Sequence, residues 1–483
     1  MSKRNFIIYY PDSMRAESLS IYGRGNLKSP NYERMAENGV VFDNAFVQNP
    51  VCSPSRISMM TGRYVHNDGH RTLFHLLRNH EKSLLVYLKE HGYQIGWFGK
   101  NDLYARDMVQ FLVGPVDKEN NFPEKDNHRF SYGEDGYYSF LENPSYSGLP
   151  ERSESQVERA VEFIRNMTEE GKPFCAFIPV GMPHGPYYAP EPYHHMYDGV
   201  DLPPIKPYPD APIPSYHNHI RNYRHLDKMD RNDFIEMQKV YSGMVAFSDR
   251  LLGRILDVME ELGLDDTTTL FATSDHGEFA GDYGLPEKWP NAMTDNLIHV
   301  PLLVKSPEAE KGLRVHGAVE SFDLMATVME MAGIEAEHSH FATSLLPHIQ
   351  GKYENTERFV FCEGGYDVHE PHAFEGYEPR GGSIRNPESL YYPKALQQQK
   401  EPASVCRTTM IRNLEFKLVR RTSDLNELYN LREDPMEIHN LYYDEEYRET
   451  VLYLESRMLE WLIRTSDTVP FDEDSRGFVY EES

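Results

Sequence analysis

The chain is poor in cysteine and in positive charge, and it has no long apolar run. Its four cysteines, Cys52, Cys175, Cys362 and Cys406, are scattered over 483 residues. That is too few, and too widely spaced, for a disulfide framework or a metal knuckle. Lysine and arginine number 49 against 76 acidic residues, a formal charge of −27. No basic stripe stands out to neutralise phosphates, which argues against a nucleic-acid partner. An anionic ligand must therefore be drawn in by a local cluster of cations, against the global field. No segment approaches the roughly 18 apolar residues of a membrane span, and no leader-like stretch precedes the strand-like start Asn5-Phe6-Ile7-Ile8-Tyr9-Tyr10. No membrane partner is expected, and the cytoplasm is the default compartment. The sequence leaves the oligomeric state open.

What is present is ample core material, with 40% hydrophobic and 12% aromatic residues. The length exceeds that at which a single core stops growing, so two domains are expected. Asn5 to Tyr10 reads as a buried strand that delivers Asp12 at its C-terminal end. The same strand-then-polar plan recurs at 95–98 before Gly99-Lys100, at 174–180 before Met182-Pro183-His184, and at 267–273 before Ser274-Asp275-His276-Gly277. Helices are predicted at 84–92, at 155–167 and over the long periodic run 233–262, where Val240, Met244, Phe247, Leu251, Ile255 and Met259 recur at turn spacing. Strands alternating with helices predict an α/β fold, a sheet with helices on both faces. Ligands of such sheets bind beyond the carboxyl ends of the strands, where these polar tips fall. From about Arg358 short strands crowd together at 359–361, 408–411, 416–419 and 428–431, and an amphipathic helix follows at 448–464. The predicted division is a catalytic domain over 1–355 and a subdomain over 356–483 with a small antiparallel sheet and a terminal helix. The Pro- and His-rich stretches 203–225 and 367–392 read as long loops.

The most informative segment is Cys52-Ser53-Pro54-Ser55-Arg56, followed by an apolar run that ends at Thr61-Gly62-Arg63. It matches Cys-x-Pro-x-Arg, the pattern by which a maturation enzyme recognises a cysteine and oxidises it to formylglycine. The hydrate of that aldehyde carries two hydroxyls on one carbon. One can attack sulfur or phosphorus, and deprotonation of the other expels the bound oxyanion. Asp12 and Asp275, carboxylates at different strand ends, suit a hard divalent cation. Taken singly, each reads equally well as a turn or helix cap.

Taken together, Asp12, the Cys52–Arg56 pentapeptide, Lys100, Pro183-His184, Asp275-His276-Gly277-Glu278 and Lys288 resemble, in order and context, the formylglycine-dependent sulfatases of the alkaline phosphatase superfamily. The tail Met410-Ile411-Arg412, Lys417-Leu418-Val419, Glu427 to Leu431 and Asp434-Pro435 is similar to that family's C-terminal subdomain. The resemblance implies a large alkaline-phosphatase-like sheet sandwiched by helices, with a smaller C-terminal antiparallel sheet. It implies a sulfuric ester hydrolase acting on a small or saccharide sulfate ester, with a formylglycine-generating enzyme as maturation partner. The expected ion is calcium, with magnesium or manganese as alternatives, held by Asp12, Asp275 and residue 52. His276 stands where relatives carry Asn or His, and both ion binding and contact with the nucleophile oxygen are open to it. Ser13 departs from the family, in which a second Asp or an amide is common, and its contact with the ion is left open.

By the same resemblance Arg56 faces the modified residue, Lys100 and Lys288 grip sulfate oxygens, and His184 binds sulfate and protonates the departing alkoxide. Asp102 replaces a histidine of relatives. Three roles stand side by side for it: proton acceptor, contact to the leaving group, or ion pair with Lys100. His70, Arg71 and the loop Tyr366 to Arg380 are expected to border the substrate pocket. Two other functions compete: a phosphonate monoester or phosphodiester hydrolase with the same nucleophile, and a non-catalytic binder of sulfated ligands if Cys52 stays unmodified.

Overall fold

The computed structural model describes residues 3–23, 25–113, 127–371, 373, 385–471 and 477. Seven strands form one sheet in the order β3-β4-β1-β5-β6-β2-β7. They are β1 (Asn5–Tyr9), β2 (Val40–Phe46), β3 (Gln94–Trp97), β4 (Phe174–Ile178), β5 (Thr268–Thr273), β6 (His299–Lys305) and β7 (Leu313–Glu320). Strands β3, β4, β1 and β5 run parallel, β6 is antiparallel to both neighbours, and β2 pairs with β7 in parallel. β1 lies between β4 and β5, and its side chains serve two cores. Ile7 and Tyr9 join the cluster that packs the helices Leu149–Glu169 and Arg231–Glu261. Phe6, Ile8 and Tyr10 face the opposite layer, which holds the helices Cys52–Thr61, Leu84–Glu90 and Asp323–Ala332. A strand buried on both faces must be apolar at every position, which is why this run shows no alternation.

The expected α/β sheet covered by helices is the one observed. The helix Arg231–Glu261 starts where Asp230 accepts from the backbone N–H groups of Asn232 and Asp233, satisfying donors that the first turn leaves open. One loop expectation is corrected. Within 203–225, Ser215–Tyr223 is a helix that buries Tyr216, His217 and Ile220. Its one apolar face is so short that the surrounding prolines hide its period. Of the second predicted loop, 367–392, residues 372 and 374–384 lie outside the described residues. Among the described residues no helix is long and apolar enough to cross a membrane.

A second, antiparallel sheet has the order β11-β10-β9-β8, from β8 (Val360–Gly364), β9 (Thr408–Arg412), β10 (Phe416–Arg421) and β11 (Glu427–Asn430). The helix Arg448–Thr465 packs Val451, Leu454, Met458 and Trp461 against it. The two sheets are joined by buried charge. Lys417 of β10 is fully buried and donates to Asp295 Oδ1 (2.6 Å) and to Met293 O (3.0 Å); it also pairs with Glu437, while Arg412 pairs with Asp295 at 2.6 Å. Removing one partner from such a cluster strands the opposite charges away from water. Lys417→Met is expected to lower the free energy of unfolding by about 3–5 kcal/mol in urea titrations. Unaltered stability would show that the cluster does not tie the sheets together.

Candidate active site

The strand ends converge as their positions in the sheet require. β1 leads into Asp12 and β5 into Asp275, so neighbouring parallel strands place two carboxylates side by side, both fully buried. Ser13 holds them in register. Its backbone is left-handed at φ 67°, which a non-glycine residue rarely adopts. That turn lets its N–H donate to Asp275 Oδ1 (3.1 Å) and its hydroxyl to Asp12 Oδ1 (3.0 Å). Ser13 is thus placed as a brace for both carboxylates.

Cys52 is the first residue of the helix Cys52–Thr61, every residue of which is buried. One turn on, Arg56 sends Nε and Nη2 to Asp275 Oδ2 (2.9 and 2.8 Å), Nη2 also to Asp12 Oδ2 (2.8 Å), and Nη1 to the Lys100 carbonyl (3.3 Å). The guanidinium therefore clamps the carboxylate pair instead of pointing directly at residue 52. The Cys52 thiol lies 3.1 Å from His276 Nε2, 3.6 Å from Lys100 Nζ and 3.9 Å from Asp12 Oδ1. Burial, then the charge of Asp12, pushes that thiol up to about 12. His276 Nδ1 sits 2.8 Å from the Gly277 carbonyl, which can only accept, so Nδ1 carries the hydrogen and Nε2 is bare toward residue 52.

Just beyond β3 comes Gly99, where an added Cβ would stand 2.1 Å from the carbonyl of Pro179, the residue after β4. This close approach brings in Lys100, whose Nζ lies 2.8 Å from Asp12 Oδ2 and 2.8 Å from Asp102 Oδ2. Of the three roles open to Asp102, the geometry is that of the ion pair. The side chains of Lys100 and Asp102 keep 33% and 24% of their surface, whereas Asp12 and Arg56 keep none. The lysine–aspartate pair thus marks the mouth, and the carboxylates mark the floor. Burial opposes ionisation of Asp12, but Lys100, His184 and Arg56 together hold it well below the usual carboxylate range.

His184 and Lys288 meet although 104 residues separate them, with Nε2 and Nζ 2.7 Å apart. His184 Nδ1 is 2.6 Å from the Gly185 carbonyl and must donate to it, so Nε2 accepts from the lysine. Burial, then Lys288, pulls the imidazole down to about 3, which keeps it neutral, while Cys52, Glu287 and Asp12 hold Lys288 protonated against burial. No local sequence signal marks this pairing, nor Glu287, which clamps the neighbourhood of Lys288 through Lys394 and Arg224. Of the expected pocket neighbours, His70 is engaged by Glu81 Oε1 (2.8 Å) and the His75 carbonyl (2.7 Å), and Arg71 lies 3.7 Å from Glu363. Of the expected pocket loop, residues 372 and 374–380 lie outside the described residues.

One atom each from Asp12, Cys52, Asp275 and His276 lies within 4.8 Å of all the others. Ligands about 2.3–2.6 Å from a shared calcium span no more than about 5 Å across it, so this buried set fits a single ion. The model of the family described as Sulfatase matches residues 4–334 of the 483. The chain belongs to the sulfatase family. That membership makes it a sulfuric ester hydrolase with an alkaline-phosphatase-like fold. A second family model, N-sulphoglucosamine sulphohydrolase, C-terminal, matches residues 382–464.

Among its relatives, a multifunctional alkaline phosphatase superfamily protein of Trinickia caryophylli is 25% identical over 97% of this sulfatase and 96% of its own length. An ulvan-active sulfatase of Formosa agariphila is 26% identical over 69% of this chain and 62% of its own. Human iduronate 2-sulfatase is 26% identical over 72% and 68%. Among solved structures, the phosphonate monoester hydrolase of Agrobacterium radiobacter superposes with a TM-score of 0.75 at 21% identity, covering 96% of both chains. A protein solved in complex with its substrate D-glucosamine-2-N,6-O-disulfate superposes at 0.67 and 19% identity, over 98% of this chain and 100% of that one.

Proposed function

We propose that this sulfatase desulfates a sulfated carbohydrate, with residue 52 matured to formylglycine and a divalent cation, calcium by preference, held by Asp12, Asp275, His276 and residue 52. The observation that carries this reading is the buried four-residue donor set with the motif cysteine at its centre. When present, the cation supplies Lewis-acid polarisation of the sulfuryl group, and hydrated formylglycine supplies a hydroxyl nucleophile.

The chain's own side chains do the rest. Arg56 fixes both carboxylates at the strand ends and can take no proton from them. His276 turns its bare Nε2 toward residue 52, and that lone pair is the one with which it would hold the cation. Lys100 and Lys288 converge on the sulfate as compact positive charges. His184 orients Lys288, and the proton for the departing alcohol is stored on that lysine. Lys100, Lys288 and Arg56 oppose Asp12, Asp275 and Asp102 one for one, so the cluster gains net positive charge only from the cation. That gain offsets a chain carrying −27. Because the whole helix Cys52–Thr61 is buried, a separate maturation enzyme has to read its pentapeptide before the chain folds around it.

Action on phosphonate monoesters or phosphodiesters is the second reading, prompted by the full-length likeness in fold to the Agrobacterium phosphonate monoester hydrolase. Lys100 and Lys288 favour sulfate, since two ammonium groups suit a compact monoanion with three equivalent oxygens. Release of 4-nitrophenol from its sulfate and from its phenylphosphonate separates the two readings. The expected outcome is a higher kcat/KM on the sulfate, and the opposite ranking would overturn the proposal. A panel of defined sulfated saccharides, followed by chromatography, identifies the sugar.

A further inference from the structure

Tyr391 belongs to the C-terminal part of the chain, yet it reaches the catalytic lysines. It stands at the N-terminus of the helix Tyr392–Lys400. That helix is pinned to the active site by Lys394, whose Nζ donates to Glu287 Oε1 at 2.9 Å, one residue before Lys288. The Tyr391 ring packs edge-on against Phe140, with centroids 5.2 Å apart, and the Arg224 guanidinium covers Phe140 at 4.4 Å. The ring is therefore held between fixed groups.

The phenol lies within electrostatic reach of Glu287, Lys288, Lys100 and Arg224. It is only half-buried, whereas the carboxylates on the floor of the site are wholly enclosed. Among the described residues nothing hydrogen-bonds its hydroxyl. A phenol whose ring is held, whose hydroxyl has no protein partner among the described residues, and which lies within electrostatic reach of two cations that can only donate is free to donate to an acceptor on a bound molecule. In the proposed reading the sulfate oxygens face both lysines. Tyr391 keeps part of its surface, as Lys100 and Asp102 at the mouth do, so it is open to the alcohol part of an ester.

We propose that Tyr391 is a specificity-determining residue, whose hydroxyl donates to an oxygen of the substrate's alcohol component and favours oxygen-rich, saccharide-like leaving groups over plain aryl ones. This rests on the proposed sulfatase reading and deepens it. A site built to satisfy such an acceptor discriminates against esters that lack it.

The test is the ratio of kcat/KM for the saccharide sulfate turned over fastest in the panel above to kcat/KM for 4-nitrophenyl sulfate, in wild type and in Tyr391→Phe. The ratio is internal to each preparation, so a partly misfolded variant does not distort it. Loss of one hydrogen bond is expected to lower the ratio by about tenfold, mostly through KM for the saccharide. A ratio unchanged within about twofold, or equal losses on both esters, would overturn the role given to Tyr391 while leaving the sulfatase reading intact. A wild-type enzyme that cleaves the aryl sulfate but no saccharide overturns the carbohydrate reading and this proposal together. One that cleaves neither overturns the proposed function itself.

Discussion

Cys52→Ala is expected to lower kcat by at least about 10⁴-fold on 4-nitrophenyl sulfate while leaving the unfolding transition nearly unchanged. The Cys52 side chain is small, sits in the first turn of its helix, and makes contacts of 3.1 Å and longer to His276, Lys100 and Asp12. Losing it removes little packing but every atom able to form a bond to the substrate. The thiol itself is a poor candidate for the attacking group, because it is buried against a carboxylate that repels a thiolate. Oxidation of Cys52 to formylglycine, as proposed, would remove that difficulty, since the hydrate attacks through a hydroxyl oxygen and needs no thiolate. Mass spectrometry of the Cys52 peptide from the native host supplies the companion measurement, with the expected shift from thiol to aldehyde. A variant that keeps more than about a tenth of wild-type activity would remove residue 52 from the chemistry. An unshifted peptide in native-host protein would instead favour a binder of sulfated ligands.

The parts of this site legible in the sequence are those carried by single strands. β1, β4 and β5 are continuous apolar runs that end in polar tips, so Asp12, His184 and Asp275 could be assigned to strand ends without any tertiary contact. β2 and β6 were hidden for a local reason. β6 contains Pro301, which argues against a central strand, and β2 is interrupted by Asp43 and Asn44. The structure resolves the conflict with a register shift in β2 between Phe42 and Ala45, opposite Val300 and Leu302, which accommodates a residue without an N–H.

Pairings over long sequence distances were equally hidden. The clamp of Arg56 on two carboxylates, the contact of Lys288 with His184, and the arrival of Tyr391 from the C-terminal part depend on how layers stack. No local period encodes that stacking. His70 and Arg71 show the converse: both lie close in sequence to the nucleophile helix, but other side chains claim them.

Asp275→Asn is the sharper test of the ion. Asp275 Oδ1 accepts from the N–H groups of Ser13 and His276, and Oδ2 accepts from two nitrogens of Arg56. An asparagine keeps the shape and one acceptor oxygen, so the strand end should persist. It removes one of the two negative charges of the donor set, and it turns an NH₂ group toward either Arg56 or the backbone N–H groups of Ser13 and His276, all of which can only donate. Hard cations such as calcium depend on carboxylate charge for affinity. The variant is therefore expected to purify with less than about a tenth of the wild-type ion content by elemental analysis, and with activity down by about 10³-fold or more. Excess calcium should restore activity only in part, because Arg56 loses a charged acceptor at the same time. Alanine at this position would confound the result by also removing every acceptor that Ser13, His276 and Arg56 use there. If Asp275→Asn retains a full complement of ion, the cation does not sit between Asp12 and Asp275. The positive charge needed to attract sulfate into a strongly acidic chain would then have to come from Lys100 and Lys288 alone.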